Sequence, residues 1–550
     1  MNKFNCVLAV LAGLFFINRA KAQTPEWKDV APIFYHNCAT CHREGEIGDK
    51  IAHFTSYQST INSKISGYFY SIPIDVQTGV MPPWKADPHY TQFLDQRLLS
   101  PEDKQKLIDW VNADGPAGDT TLAPPSPVFP KGSQLGIPDT TLSMSQAYVV
   151  PGDGGDHYQC FVLPTNFNGD KAISAIEFRP GNATVVHHVF LYLITDSTAV
   201  AADNATPEYG YPSFGGADYD TFNVHANFLT LYGPGLTPRF FSDNSIVKFP
   251  PNSFLLIQIH YAPTFVQQTD SSSVNLFYEK NVNPDSSRIS YGHRIGEKFI
   301  TEPGFYLQAN HVLTFHIDYP VDSLSDSLDL SLYAIAPHMH LLGKSMKIWA
   351  TTGENDSIPL IYIPNWSFNW QMLYSFPFMI KLPVHSHLHA EASYDNTVNN
   401  PYNPNSPPVG VHYGESSHDE MFKFFVQYLY YKPGDENLII DSCWLSENCG
   451  YILSDGNLGS VVKSPQFYNL SPNPATDQSE ISYFLPTQQN VSLSIYNLTG
   501  QLVKAPISNE VTNPGFHKMD LNLNDIATGM YFCVLHVGSK MLTKQLIIQH

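Results

Sequence analysis

Two cysteines and a histidine form the first group of residues with recognisable chemistry. Cys38, Cys41 and His42 stand in the order C-x-x-C-H, the pattern that attaches a c-type haem through two thioether bonds. His42 would then be one axial ligand of the iron. Met81, in GVMPPWKADP, is the candidate for the other, because a His/Met pair raises the haem potential and suits electron transfer. The alternatives are a disulfide or zinc pair for the cysteines, and a loop residue packed on the haem edge for Met81.

A second group of metal-binding side chains lies on apolar, strand-like segments. His187 and His188 are adjacent in VVHHVFLYL, and adjacent strand residues point to opposite faces. This predicts an opposed, nearly linear ligand pair. His260, in LLIQIHYAP, is the candidate third ligand. Three imidazoles at low coordination number suit a copper ion that cycles between Cu(I) and Cu(II).

A third group has a different spacing. His338 and His340 are two residues apart in APHMHLLG, so on a strand both side chains face the same way and can chelate one ion. Met421, in SSHDEMFKF, offers a thioether, which is a soft ligand that favours Cu(I). Zinc is the alternative for sites with three histidines, and a structural role is the alternative for any single histidine.

From Gly136 to Lys432 the order HH, IQIHY, H-x-H-x-x-G and HDEM resembles the copper type II, ascorbate-dependent monooxygenases. This family includes peptidylglycine α-hydroxylating monooxygenase and dopamine β-monooxygenase. The resemblance implies hydroxylation of a C–H bond with O2, and two eight-stranded β-sandwiches whose metal sites face each other across an open cleft. It assigns six ligands to two copper ions: His187, His188 and His260 for electron transfer, and His338, His340 and Met421 for catalysis with O2.

Three positions depart from the animal members of that family. Ala336 and Phe425 stand where the peptide-amidating enzymes have an Arg and a Tyr that hold the carboxylate end of the substrate, and Phe422 replaces a cysteine. A glycine-extended peptide would lose its anchor. We therefore expect an unidentified small organic molecule as the substrate, beside O2.

The haem motif suggests where the electrons come from. We expect the haem to accept electrons from an external donor, either a redox protein or an ascorbate-like reductant, and to pass them to the copper on His187, His188 and His260. A Pro-rich tether at 122–135 would raise the effective concentration of the haem at that site. The alternative is a non-catalytic surface protein that transfers electrons through haem and copper, or that binds copper.

The composition predicts a mainly β chain. Aromatic residues make up 13% and charged residues only 15%, and Pro and Gly separate short apolar runs, as in antiparallel sandwiches. Ser100, followed by Pro101 and two acidic residues, predicts the start of one helix. The predicted divisions are a signal peptide (1–22), a small α-helical cytochrome c-like haem domain (23–121), a Pro-rich linker (122–135), two jelly-roll-like antiparallel β-sandwich copper domains (136–290 and 291–455), a linker (456–466) and an Ig-like β-sandwich (467–550).

Both ends of the chain predict export. The apolar run from Val7 to Ile17 is too short for a membrane span and precedes a small-residue cleavage site. The tail, from FYNLSPNPATDQSE onwards, resembles the sorting domain of type IX secretion. This predicts recognition by that machinery and delivery through the periplasm to the surface or medium of a Bacteroidota-type bacterium. Cys443 and Cys449 could close a disulfide loop, and the net charge of −20 argues against nucleic acid as a partner.

Overall fold

A computed structural model of the chain describes residues 24–550 except 130–131, 214–215, 219–221, 242–244, 281–287, 326–327, 353–356, 415, 438–464, 468–469, 471, 486–488, 513–514 and 539. The signal peptide, the Cys443–Cys449 pair and most of the linker at 456–466 lie outside the described residues. Strands hold 42% of the chain and helices 13%, in several antiparallel sheets, which confirms the mainly β prediction. Within the described part, no helix is long and apolar enough to cross a membrane.

The N-terminal region is helical. Its helices are α1 (Trp27–Asn37), α2 (Tyr57–Asn62), α3 (Ile72–Thr78) and α4 (Pro101–Asn112), with 3₁₀ turns at Tyr68–Ser71 and Thr120–Leu122. Helix α4 begins as predicted, because the Ser100 hydroxyl accepts a hydrogen bond from the Asp103 amide at 3.0 Å. Its apolar face buries Trp110 against Trp27 and Phe34 of α1, with ring centroids 5.7 Å apart in both pairs.

Residues 140–289 form two facing five-stranded sheets around one apolar core. The strands are β1 (Thr140–Ser143), β2 (Tyr148–Val150), β3 (His157–Pro164), β4 (Lys171–Arg179), β5 (Val186–Ile194), β6 (Tyr211–Pro212), β7 (Ala226–Tyr232), β8 (Ser245–Phe249), β9 (Phe254–Tyr261), β10 (Gln268–Asp270), β11 (Ser273–Tyr278) and β12 (Arg288–Ile289), with helix α5 (Thr198–Asn204). One sheet has the order β1-β11-β4-β8-β12 and the other β6-β3-β9-β5-β7, while β2 and β10 pair as a small two-stranded sheet. The second sheet brings β5 beside β9, and hence His188 opposite His260.

Residues 291–430 form a second pair of sheets over a separate core. The strands are β13 (Tyr291–Ile295), β14 (Tyr306–Leu307), β15 (His311–Pro320), β16 (Leu330–His338), β17 (Gly343–Thr351), β18 (Ser357–Ile363), β19 (Tyr374–Leu382), β20 (His387–Asn396), β21 (Val411–His412) and β22 (Lys423–Tyr430), with helix α6 (Asp322–Ser325). The sheets have the orders β13-β22-β16-β19 and β15-β20-β17-β18, while β14 and β21 pair as a small two-stranded sheet. Their pairing places His338 opposite Lys423, two residues after Met421.

The tail forms a third pair of sheets. Its strands are β23 (Gln466–Phe467), β24 (Gln478–Leu485), β25 (Gln489–Asn497), β26 (Leu502–Thr512), β27 (Gly515–Asn522), β28 (Gly529–Val537) and β29 (Lys540–Ile548). They pair in the orders β23-β24-β27 and β26-β25-β28-β29. Val491, Leu493 and Ile495 alternate along β25 and are fully buried in the core between the sheets, as a half-buried strand requires.

The two central sandwiches pack directly on each other. Phe190 and Phe228 of the first share a buried cluster with Ala336 and Phe425 of the second. The rings of Phe228 and Phe425 lie 4.6 Å apart between centroids. The open cleft that the family resemblance implies is therefore wrong for this structure, because apolar side chains fill the junction.

The N-terminal region is also docked. The Leu94 amide donates to the Ser375 carbonyl at 2.8 Å, and the Asp87 amide to the Tyr362 carbonyl at 2.8 Å. Phe93 is fully buried in the core of the second sandwich. The expected tether at 122–135 therefore does not by itself set the position of the haem motif, since the segment before α4 packs into the second sandwich.

Candidate functional site

Three histidines converge where β5 and β9 run side by side. The Nδ1 atom of His187 lies 3.1 Å from Nδ1 of His188 and 3.1 Å from Nδ1 of His260, and the remaining Nδ1 pair is 3.3 Å apart. A linear pair of ligands would hold the nitrogens about 4 Å apart at metal–imidazole bonds of about 2.0 Å. The predicted linear His187–His188 pair is therefore wrong. The β5–β9 register shifts between Val186 and His188, and this irregularity breaks the strict alternation of faces.

The histidine triad of His187, His188 and His260 fits a metal ion. Burial lowers the pKa of all three, that of His187 to about 3, so the rings are neutral. The point in their plane equidistant from nitrogens at these separations lies about 1.8 Å from each, close to a metal–imidazole bond. A cation at this point would be within bonding distance of all three Nδ1 atoms.

Two residues that the sequence analysis missed hold His260. Its Nε2 atom donates to Asp156 Oδ1 at 2.7 Å, which leaves the lone pair on Nδ1. The Tyr158 ring stacks on the imidazole at 4.1 Å with an interplanar angle of 3°. Asp156 comes just before β3, and Tyr158 pairs with His260 across β3 and β9. Nothing in the local sequence predicts the β3–β9 register that brings these two residues to His260.

The second pair of histidines presents the other ring nitrogen. His338 Nδ1 is hydrogen-bonded to Gln371 Oε1, and His340 Nδ1 lies 3.1 Å from the Asp419 carbonyl. Nε2 of His338 is buried and has no hydrogen-bond partner among the described residues. Burial, with a smaller contribution from Lys423, lowers the pKa of His340 to about 3. Both rings are thus neutral, and Nε2 of His338 is free to bind a metal.

Glu420 holds the backbone of Met421 beside that of His340. The Glu420 carboxylate accepts hydrogen bonds from the amides of His340 at 2.9 Å, Leu342 at 2.6 Å and Met421 at 3.1 Å. Burial raises the pKa of Glu420 to about 8, while these amides act in the opposite direction. Glu420 and Gln371 were not predicted, although Glu420 belongs to the HDEM motif.

The two histidine sites are neighbours. The rings of His188 and His338 lie 6.3 Å apart between centroids, and Phe368 lies 5.9 Å from His187, His260 and His340. A small cavity of about 10 Å³ lies between the sites. Its lining residues are His188, Phe190, Leu231, Ala336, Pro337, His338, Gln371, Met372 and Phe425.

The C-x-x-C-H motif follows α1. Cys38 and Cys41 are free thiols, so the disulfide alternative does not hold in this structure, and burial raises the pKa of Cys38 to about 12. His42 is buried and its Nδ1 lies 3.3 Å from the Ala52 carbonyl, which directs Nε2 away as an axial haem ligand requires. Met81 is half-buried in the loop after α3, where its amide donates to the Asp75 carbonyl at 3.1 Å.

The His42 ring packs against Gly48, where there is no room for a side chain. A methyl group there would lie 2.6 Å from His42 Nδ1 and 2.8 Å from the Cys41 carbonyl. We expect Gly48→Ala to displace the ring and to lower covalent haem content about 10-fold, the range seen when the support of a metal ligand is removed. A pyridine haemochrome assay measures this. Gly169→Ala is the control, since a methyl group there meets nothing within 4 Å, and equal haem in both variants would contradict the expectation.

A glycine turn lies between the haem motif and the second histidine pair. A methyl group at Gly235 would lie 2.6 Å from Cys41 Sγ, and one at Gly233 would lie 2.7 Å from the Gln371 carbonyl. Arg97 donates to the Gly235 carbonyl and fastens the turn to the N-terminal region. The contacts therefore run from Cys41 through the turn to Gln371, whose side chain binds His338.

The tail decides how the protein leaves the cell. Residues 469–549 match the secretion system C-terminal sorting domain. The chain ends in a type IX sorting domain. It is therefore exported by a Bacteroidota-type bacterium, is secreted or surface-attached, and interacts with the secretion machinery.

The other comparisons are distant. No curated protein matches the chain. A β-glucuronidase of Faecalibacterium prausnitzii aligns at 8% identity over 44% of this chain and 38% of its own, with a TM-score of 0.13. Dimeric latent PorU of Porphyromonas gingivalis aligns at 10% identity over 71% of this chain and 34% of its own, with a TM-score of 0.14. The chain spans about a third of each structure, and scores this low support no argument about fold or activity.

Proposed function

We propose that the exported protein is a copper-dependent monooxygenase that hydroxylates a C–H bond of a small organic molecule with O2. The histidine triad carries the proposal, because its three Nδ1 atoms converge within 3.1–3.3 Å of one another. A second pair of neutral imidazoles supports it, because Glu420 holds the Met421 backbone beside that of His340, and two histidines with a thioether form a soft set that suits Cu(I).

Copper in these sites would supply one-electron redox chemistry and the activation of O2. The residues of the chain fix which nitrogen is available to it. Asp156 keeps a proton on Nε2 of His260, whereas Gln371 and the Asp419 carbonyl keep protons on Nδ1 of His338 and His340. The triad is therefore arranged to bind through Nδ1 and the second pair through Nε2.

The cavity between the sites indicates the class of substrate. Ala336 and Phe425, which stand at the carboxylate-anchoring positions of the peptide-amidating enzymes, both line it. Phe190 and Leu231 add further apolar surface. A lining of this kind does not pair with a carboxylate, and the cavity, at about 10 Å³, has room for little more than one water molecule. The proposed substrate is therefore small and apolar.

The N-terminal motif fits a haem that feeds electrons to the copper sites. Its two thiols are free, and the hydrogen bond of His42 Nδ1 leaves Nε2 for iron. The glycine turn fixes Cys41 against the segment that supports His338. An external one-electron donor would reduce the haem. The docking of the N-terminal region would keep the haem near the copper sites, which is the role that we expected of the tether.

A non-catalytic electron relay is the second candidate. It is favoured by the burial of His188, His260, His338 and His340, each at most 4% exposed, and by the small cavity. A relay needs no room for substrate. The two functions differ in what they require of Met421, since only an enzyme needs a site that activates O2.

Met421→Leu separates the enzyme from the relay. Leu conserves the volume but removes the sulfur, so we expect O2 uptake with small apolar substrates to fall by about 100-fold or more, and the Cu–S signal in X-ray absorption of the Cu(I) protein to vanish. Reduction of the haem by an external donor should be unchanged. Met346→Leu is the matched control, because Met346 is a fully buried core residue of the same sandwich. Unchanged O2 uptake in Met421→Leu would favour the relay.

A further inference from the structure

One carboxylate bridges the two histidine sites. Asp156 Oδ1 accepts the hydrogen bond from His260 Nε2 at 2.7 Å, and Asp156 Oδ2 accepts one from the Ser417 hydroxyl at 2.7 Å. His260 belongs to the triad on the first sandwich. Ser417 lies on the second sandwich, just before the residues that support the other site. One carboxylate oxygen of Asp156 is thus hydrogen-bonded to a residue of the triad, and the other to a residue beside the second site.

The segment from Ser416 to Met421 organises the second site. The Asp419 carbonyl pairs with His340 Nδ1, and Glu420 accepts the His340 backbone amide at 2.9 Å. Ser417 is 3% exposed, so its hydroxyl is a buried anchor of this segment on the first sandwich. Any shift of Ser417 is passed to the groups that set the orientation of His340 and the position of Met421.

We infer that Asp156 couples the two sites, so that a metal ion held by the histidine triad raises the affinity of the second site for its own ion. The inference rests on the proposed function, because it needs both sites to take copper. An ion on His260 Nδ1 withdraws electron density from the ring, which makes the Nε2–H a stronger donor to Asp156 and tightens the hydrogen bond that fixes this carboxylate. The fixed carboxylate holds Ser417, and with it the segment that pre-organises His340. By linkage, an ion in the second site raises the affinity of the triad by the same factor.

Titration of the full mature chain with Cu(I), against a colorimetric Cu(I) chelator and with the haem intact, tests the coupling. We expect two ions to bind with positive cooperativity, each raising the affinity for the other by about 5-fold to 150-fold. Ser417→Ala keeps the Asp156–His260 hydrogen bond and removes only the bridge. Its two ions should bind without cooperativity. Ser417→Thr keeps a hydroxyl and should restore the cooperativity, which a general loss of packing would not predict.

A background that lacks His338 and His340 reports the affinity of the triad alone. In this background we expect Ser417→Ala to leave that affinity unchanged, and a large loss would overturn the assignment of Ser417 as a bridge. Two ions bound independently by the wild-type chain would overturn the coupling and leave the copper enzyme standing. A cooperative binding curve that is the same in Ser417→Ala as in the wild-type chain would also overturn the coupling through Asp156 and leave the copper enzyme standing. Fewer than two ions would overturn both proposals. If thermal unfolding shows that Ser417→Ala is misfolded, Ser417→Thr and the wild-type curve decide.

Discussion

His260→Ala is expected to reduce bound copper from two ions to one per haem and to lower O2-dependent hydroxylation by more than about 100-fold. The substitution removes one of three converging Nδ1 atoms. It also leaves Asp156, which is hydrogen-bonded to His260 Nε2 at 2.7 Å, without its imidazole donor. A triad with two nitrogens has lost the trigonal arrangement that makes it fit a metal ion. Copper and haem in the purified mature chain, measured by elemental analysis and absorbance, give the ratio.

His225→Ala is the matched control for this experiment. His225 belongs to the same sandwich but is largely exposed and pairs with Asp196 at 2.6 Å, away from the triad. It should keep two coppers per haem. A wild-type chain that holds fewer than two coppers, or a His260→Ala chain that still holds two, would contradict the assignment of the triad. Haem content should be the same in all three proteins, because the C-x-x-C-H motif lies in a separate helical region.

The residue types at the candidate site could be predicted, but their geometry could not. Strand periodicity predicted that His338 and His340 face the same way on one strand, whereas β16 ends at His338 and His340 lies two residues beyond it. The same periodicity gave the wrong geometry for His187 and His188. The register shift beside His188 is set by pairing with β9, which lies more than sixty residues further along the chain. A bulge of this kind depends on tertiary structure and leaves no signature in a short apolar run.

The supporting residues were missed for a related reason. Asp156, Gln371 and Glu420 act on ligands that are distant in sequence, except that Glu420 adjoins Met421. A carboxylate or amide in a turn is ordinary in any sequence, and its partner is decided by strand register. Histidine ligands on strands can therefore be found from sequence patterns. The side chains that hydrogen-bond to those ligands and fix their tautomers cannot.

The relation between the haem motif and the sandwiches was the least predictable feature. The Pro-rich stretch at 122–135 suggested a loose tether, whereas the docking contacts come from the segment before α4 and from the turn at Gly233 and Gly235. Both glycines read as ordinary turn residues in LYGPGL. Only the folded chain shows that each faces a backbone or side-chain atom from a different region. A substitution in this turn should therefore slow electron transfer from haem to copper without removing either group.

Gly235→Ala is expected to slow electron transfer from the haem to copper by about 10-fold to 100-fold, while copper and haem contents stay unchanged. The added methyl group would lie 2.6 Å from Cys41 Sγ and 3.1 Å from the Arg97 guanidinium, and Gly235 has a φ of +79°, which strains any residue with a side chain. The loop that carries Cys41 must move away from the turn, and its distance to Gln371 and His338 grows. Photoreduction of the haem in the Cu(II)-loaded chain, followed by absorbance as the haem is reoxidised, measures the rate.

Gly67→Ala controls for backbone strain alone. Gly67 has a φ of +83°, and a methyl group there meets nothing within 4 Å. It should lose stability by about 1 kcal/mol, as expected for a side chain forced into the left-handed region, but keep the rate of haem reoxidation. If Gly235→Ala reoxidises its haem as fast as Gly67→Ala, the turn does not set the distance that electrons cross. The haem would then reach copper by a route that avoids Cys41, and the docked segment around Phe93 would be the next part of the interface to alter.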